Sequence, residues 1–202
     1  MNKAKIKQVF PALIIIFVLI VDQVSKFLVK TSMFLGQEFV IIPDWFRIHF
    51  IENEGMAFGM QLGIPGGKLL LSLFRIIAVL AIGWYLVKTI RKNESFLKSS
   101  VLALILAGAA GNIIDSIFYG QLFTESTYYQ VATFNPGNGY APLLHGKVVD
   151  MLYFPIIDTT LPSWLPFFGG ENFLFFRPVF NIADSSITIG VILLLIFHKK
   201  LF

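Results

Sequence analysis

The sequence predicts a membrane all-α bundle of four transmembrane helices that carries a small extracytoplasmic β-sheet and interfacial loops. Of the 202 residues, 56% are hydrophobic and only 14% charged, where a soluble domain carries about a quarter charged. The 22 Phe and 3 Trp are too many to hide in one small core. Four apolar stretches each approach the roughly 20 residues a helix needs to cross the hydrocarbon core. A single membrane domain over residues 1–202 suffices for this length.

The apolar stretches cover about residues 9–29, 68–88, 98–118 and 177–197. Lys3, Lys5 and Lys7 precede the first as they would a secretory leader, but Asp22 and Gln23 stand where small cleavage-site residues belong, so it reads as a retained helix. Lys88, Arg91, Lys92 and Lys98 follow the second stretch, and Lys199 and Lys200 follow the fourth. All fall on the side of the N-terminus, which the positive-inside rule makes the cytoplasm, so both termini are expected there. Glu38, Asp44, Glu52, Glu54, Glu125, Asp150, Asp158 and Glu171 fall on the opposite side.

Between the first two stretches, about residues 33–64 form the expected outer β region. There Phe46, Ile48 and Phe50 alternate with Arg47 and His49, the period of a half-buried strand. Two outer loop segments follow, about residues 119–149 and 154–176. Tyr128, Tyr129, Tyr140 and the turn-rich Asn135-Pro136-Gly137-Asn138-Gly139 make Gly120 to Gly146 an excursion into water or headgroups. In Phe154 to Phe176, Pro155, Pro162 and Pro166 break helix while Trp164, Phe167 and Phe168 suit the aromatic belt, so that segment is expected to lie on the membrane.

An ionisable side chain inside such a stretch costs several kcal/mol on insertion scales and needs a reason. At a rise of about 1.5 Å per residue, Asp22 in the first stretch, Asn112 and Asp115 in the third, and Asn181 and Asp184 in the fourth all land in the outer third of the bilayer. Asp150, on the loop before the interfacial segment, reaches the same level. Asp22 and Lys26, at i and i+4, taken alone either neutralise one another and let the helix end snorkel or belong to a functional site. Asn112-Ile-Ile-Asp115 and Asn181-Ile-Ala-Asp184 each put an amide and a carboxylate on one helix face. One copy is as well explained by polar glue between helices; two copies at one depth with a further Asp favour a site.

The chemistry open to such a site is narrow. With zero Cys there is no disulfide, thiolate or Cys-based metal centre, and His49 and His198 lie at opposite ends of the fold, so no metal and no cofactor are expected. The formal net charge of +4 comes from 16 Lys plus Arg spread thinly around apolar runs, which make no stripe for nucleic acid. Two carboxylates sharing a proton can cleave an amide, one taking a proton from water and the other polarising the carbonyl.

Five motifs in order carry a resemblance over nearly the whole chain: Asp22-Gln23-Val24-Ser25-Lys26, Asn53-Glu54-Gly55-Met56-Ala57-Phe58-Gly59, Gly111-Asn112-Ile113-Ile114-Asp115, Gly146-Lys147-Val148-Val149-Asp150 and Phe180-Asn181-Ile182-Ala183-Asp184. The chain resembles the lipoprotein signal peptidase (signal peptidase II) family of intramembrane aspartyl peptidases. The resemblance implies a catalytic dyad of Asp150 and Asp184, with Asp22, Lys26, Asn53, Gly55, Asn112, Asp115 and Asn181 as active-site support or substrate contacts. It further implies a β-cradle for Phe39 to Phe58, and a prolipoprotein substrate cut on the amino side of a diacylglyceryl-modified cysteine. The expected setting is the bacterial cytoplasmic (inner) membrane, with the active site toward the outer face, a monomer among membrane lipids and no nucleic-acid partner.

The chain departs from the family pattern at two places. Ser116 stands where Arg would directly follow the third motif, and Gly120 to Gly146 lengthens the path to the fourth. Arg75, roughly 10 Å inside the outer end of the second stretch, either snorkels outward or faces the bundle and pairs with Asp115 or a substrate carbonyl. On residues alone, an ion-coupled transporter or proton-relay subunit, and a non-catalytic lipid-binding or assembly protein, also remain open. A transporter site belongs near the midplane, usually at a broken helix, whereas these acids sit toward one face.

Overall fold

Long apolar runs propagate helix because each backbone polar group is then satisfied within its own segment. The computed structural model describes residues 3–43, 45–54, 66–155, 157–164, 166, 169–175 and 178–201. Helix α1 (Lys3–Ser32) precedes strands β1 (Glu38–Ile42) and β2 (Phe46–Asn53); α2 (Gly67–Arg91) and α3 (Phe96–Ile114) follow. The chain continues through a π-helical turn, Asp115–Tyr119, and a last turn α4 (Gly120–Leu122). Strands β3 (Val148–Tyr153), β4 (Ile157–Thr160), β5 (Asn172–Phe175) and β6 (Val179–Phe180) come next, then α5 (Ile182–Ile196) and α6 (His198–Leu201). Among the described residues, three helical stretches are long and apolar enough to cross a membrane: Gln8–Ser32, Gly67–Arg91 and Phe96–Leu122.

The apolar stretch at 177–197 departs from expectation. It is helical only from Ile182, because Val179 and Phe180 pair with Tyr153 and Leu152 of β3 and Asn181 caps the helix. Hydropathy cannot tell an apolar edge strand from an apolar helix. The helix that remains is apolar but 15 residues long.

Helix α3 lies at the centre of the bundle, packed against α1, α2 and α5. Its contact with α5 depends on small residues. A Cβ on Gly108 would run into the Ala183 carbonyl and come within 2.6 Å of Ile187 Cγ1, and one on Gly190 would come within 2.6 Å of Ile105 Cγ1. Lipid tails give helices no hydrophobic reason to associate, so close backbone approach through small residues supplies van der Waals contact instead.

The outer sheet is antiparallel in the order β1-β2-β3-β6. The outer β region expected at 33–64 thus supplies only half of it, and the remaining strands come from beyond α3. Asp150 accordingly sits in an inner strand rather than on a loop. One face of the sheet buries Phe50, Val149 and Met151 against Met33, Tyr119 and Phe123. Phe154 stacks on Phe46 at 4.6 Å and on Phe180 at 5.8 Å. The expected interfacial segment contains the hairpin β4–β5, with Ile157 opposite Phe175 and Thr160 opposite Asn172. Pro162 and Pro166 fall in its connection, so they exclude helix without excluding strand. Phe167 and Phe168 lie outside the described residues.

Gly120 to Gly146 exposes Tyr128 and Tyr129 but is tied to the helices at its base. A π turn leaves carbonyls without their usual intrahelical partners, and this segment supplies replacements: Gly146 N–H donates to Ser116 O at 2.9 Å and Leu144 N–H to Ile117 O at 3.2 Å. Leu144 sits at φ +69°, rare for a bulky residue, and its carbonyl accepts from Ser72 Oγ of α2 at 2.8 Å. Farther out, Leu35 N–H donates to Thr127 O at 3.1 Å, and Phe27 packs edge-on against Phe123. The segment therefore straps the ends of α1, α2 and α3 together.

Gly108→Val should cost about 1 to 3 kcal/mol by overpacking, read as a lower thermal midpoint in detergent. An unchanged midpoint would show that α3 and α5 can separate freely.

Candidate active site

Three buried carboxylates, the half-buried Asp184 and two buried amides meet where the ends of α1, α3 and α5 abut β3. Their arrangement begins with Lys26. Its ammonium reaches Asp22 Oδ2 at 2.9 Å, Asp115 Oδ2 at 2.8 Å and Asn112 Oδ1 at 2.9 Å, using all three donors. The side chains of Lys26, Asp22 and Asp115 are all fully buried. The Asp22–Lys26 pair that i,i+4 spacing allows is thus present as half of a bridge in which one cation serves acids from two helices. Snorkelling fails because Asp115, thrown inward by the π turn, offers the cation a second partner. Gln23 reinforces the bridge, its Nε2 donating to Asp22 Oδ2 at 3.0 Å and Asp115 Oδ1 at 2.9 Å. Asp22 Oδ1 also accepts the Ala183 N–H at 2.9 Å, tying the start of α5 to α1.

These contacts orient the amides. Asn112 Oδ1 accepts from both Lys26 and Asn181, so its Nδ2 points the other way and donates to Asp184 Oδ1 at 2.7 Å. Asn181 Oδ1 accepts the Asp184 N–H at 2.8 Å as the cap of α5, leaving its Nδ2 to donate to Asp150 Oδ1 at 2.7 Å. An amide alone could face either way; a cation and a helix cap remove that freedom here. A continuous path therefore runs Asp150, Asn181, Asn112, Asp184. From the sheet, Asn53 Nδ2 donates to Asp150 Oδ2.

The two Asn-x-x-Asp repeats do different work. Asn181 and Asp184 form a capping box, with Asn181 just outside the helix rather than on its face. In the other repeat, Asp115 turns to Lys26 while Asn112 turns to Asp184. Asp150, outside the helices and 2% exposed, has its carboxyl pushed up to about 8, first by burial and then by the Asp184 charge, against the pull of Lys26 and the two amides.

The structure thus gathers Asp22, Lys26, Asn53, Asn112, Asp115, Asp150, Asn181 and Asp184; Gly55 and the rest of its motif through Gly59 lie outside the described residues. Gln23 was not singled out in the sequence, although it adjoins Asp22. The oxygens of Asp115, one partner expected for Arg75, accept from Lys26, Gln23 and the Val149 N–H, and Asp184, Asp115 and Asp150 are the acids whose charges favour the Arg75 cation. A cation does stand beside the departure at Ser116: Lys68, whose Nζ lies 3.4 Å from Ser116 Oγ and donates to Glu54 O at 2.8 Å. Among the described residues, no group of His, Cys, Asp and Glu could hold a metal ion.

Lys26→Met would leave Asp22 and Asp115 buried without a counter-charge, and should destabilise the protein by about 3 to 5 kcal/mol. Adding Asp115→Asn should recover part of the loss in thermal unfolding. A midpoint no lower than wild type would mean that the bridge carries no stability.

Comparison with known proteins accords with this geometry. Residues 14–200 match the family model described as signal peptidase (SPase) II. The lipoprotein signal peptidase of Porphyromonas gingivalis is 55% identical over 190 residues, covering 94% of this chain and 82% of that protein. The lipoprotein signal peptidase of Chlorobaculum parvum is 36% identical over 195 residues, covering 96% of each. A solved bacterial membrane enzyme is 30% identical, with a TM-score of 0.63 over 95% of this chain and 88% of that one. A match over nearly the whole length, joined to the buried polar cluster, leads to one conclusion: the chain belongs to the signal peptidase II family and is a peptidase.

Proposed function

We propose that this chain is a lipoprotein signal peptidase that removes the signal peptide from diacylglyceryl-modified prolipoproteins, cutting on the amino side of the lipidated cysteine with water activated by Asp150 and Asp184. The observation that carries the reading is the amide path that joins the buried Asp150 to the half-buried Asp184 through Asn181 and Asn112. Among the described residues neither acid is in an ion pair, whereas Asp22 and Asp115 are held by Lys26. The division of labour is four acids in two pairs, one structural and one chemical.

Asp184 is the base. It lies in the first turn of α5, where the helix dipole favours an anion, and Asn112 aims a donor at it. Asp150 holds the proton. In the cleavage step Asp184 takes a proton from water as its oxygen attacks the scissile carbonyl carbon, and Asp150 gives its proton to the developing oxyanion. The tetrahedral intermediate then collapses: the hydroxyl returns its proton to Asp150, the C–N bond breaks, and the proton on Asp184 passes to the leaving nitrogen of the cysteine. The products are a signal-peptide carboxylate and a free lipidated amino terminus, with the water consumed and the enzyme restored.

The apolar faces of α1 and α2, including Phe17 at 68% and Phe74 at 67% exposure, suit a lipid solvent. On this reading α5 is the fourth span, both termini are cytoplasmic, the dyad lies toward the outer face, and one chain suffices. A transporter is disfavoured because the acids gather at helix ends against a sheet rather than at a mid-depth break.

Asp150→Asn and Asp184→Asn should each abolish cleavage of a lipidated prolipoprotein in detergent, and the double variant should add almost nothing, since the acids act as a unit. Substantial turnover by either single variant sinks the dyad.

Because Asp150 must carry a proton to act, activity should fall as pH rises through about 8. The Asn53 amide favours the ionised carboxyl, so Asn53→Ala should move this limb to higher pH. A limb that stays put or moves down would remove Asp150 from the acid's role.

A further inference from the structure

A second buried charge cluster lies beside the dyad and takes no part in the chemistry above. Lys30 and Glu52 form an ion pair with side chains 0% and 3% exposed. Lys30 Nζ also donates to Ser126 Oγ at 2.9 Å, and that hydroxyl donates to Glu52 Oε1 at 3.0 Å. The ammonium stands 5.0 Å from the centre of the Tyr140 ring and 5.5 Å from that of Phe123. The three polar residues come from α1, β2 and the Gly120 to Gly146 strap, so the cluster ties those three parts together.

A buried ion pair is weak as a source of stability, since apolar residues of similar volume often do as well; its best-attested use is to fix register. Register needs fixing here. Arg47 and Ile48 of β2 stand opposite Tyr153 and Leu152, but after an irregularity the pairing resumes one residue out of step, with Ile51 opposite Asp150, Glu52 opposite Val149 and Asn53 opposite Val148. Apolar alternation on the Phe46 side therefore does not determine the pairing on the Asn53 side. Successive side chains point to opposite faces of a sheet, and a slip of one residue exchanges them. With Glu52 held on Lys30, Asn53 faces the other way, opposite Val148, and its amide reaches the diagonal residue Asp150. Slipped by one, β2 would withdraw that amide.

We propose that Lys30, Glu52 and Ser126 are positioning residues for cleavage, a register lock that holds β2 so that the Asn53 amide meets Asp150. The lock rests on the reading of Asp150 as catalytic. It also gives the strap a role in the reaction, since Ser126 lies within it and its hydroxyl bridges the two charges.

The test measures kcat and KM of the full chain in detergent with a lipidated prolipoprotein, for Lys30→Met, Glu52→Gln and Ser126→Ala, each alone and with Asn53→Ala. Misplacement of a catalytic group by about 1 Å costs on the order of 10²-fold in rate, so Lys30→Met and Glu52→Gln should lower kcat by about that much with little change in KM. Ser126→Ala, which keeps both charges, should cost less and keeps the test open if a charge variant does not fold. In the Asn53→Ala background each should add almost nothing. Wild-type kcat in Glu52→Gln and Ser126→Ala, or losses that multiply with that of Asn53→Ala, would overturn the lock. Asp150→Asn run beside them separates the two readings: an active Asp150→Asn defeats the dyad, whereas an inactive one with unaffected lock variants defeats the lock alone.

Discussion

The site depends on one constraint: a buried lysine has three N–H donors and all must be met. Lys26 meets them with Asp22, Asp115 and Asn112, and each contact has a further consequence. Asp22, held by Lys26, receives the Ala183 N–H and anchors the start of α5. Asp115, held the same way, accepts the Val149 N–H at 3.3 Å and anchors β3. Asn112, its oxygen committed to the cation, turns its nitrogen on Asp184. A single ammonium thus fixes both elements that carry the proposed dyad and orients one of the amides between them.

The rest of the fold serves to bring the pieces close enough. Small residues on α3 let α5 approach, and Gly111 leaves room for Asp22, whose Oδ2 would lie 2.7 Å from an added Cβ. The π turn carries Asp115 to the cation, and its displaced carbonyls are taken up by the strap ending at Gly146, four residues before Asp150. Gly146 admits no side chain because a Cβ there would strike the Asp115 carbonyl. Turn, strap and β3 are coupled through adjacent backbone.

Much of this was legible in the sequence. Polar residues in apolar runs are costly, so Asp22, Asn112, Asp115, Asn181 and Asp184 stood out against their surroundings, and their common depth followed from helix rise alone. Family membership followed from five ordered motifs. Contact partners were not legible, because spacing along one helix gives no information about the neighbouring helix: Lys26 looked complete with Asp22. The start of α5 was missed because an apolar strand end and an apolar helix read alike. Lys30 and Glu52 carried signals that went unread. Lys30 extends the series Asp22, Lys26 by four more residues along one face of α1, and Glu52 stands in phase with Phe46, Ile48 and Phe50, where the alternation calls for an apolar residue. A charge in phase with a buried stripe marks a partner elsewhere in the fold.

That two aspartates share one proton within the amide path is tested most directly by infrared difference spectroscopy in the carboxylic-acid carbonyl region, comparing the wild-type chain with Asp150→Asn across a pH titration. The predicted result is a protonated carboxyl at neutral pH that is absent from the variant and disappears from the wild type as pH rises through about 8. Loss of no such band on substitution, with Asp150 already ionised at neutral pH, would contradict it.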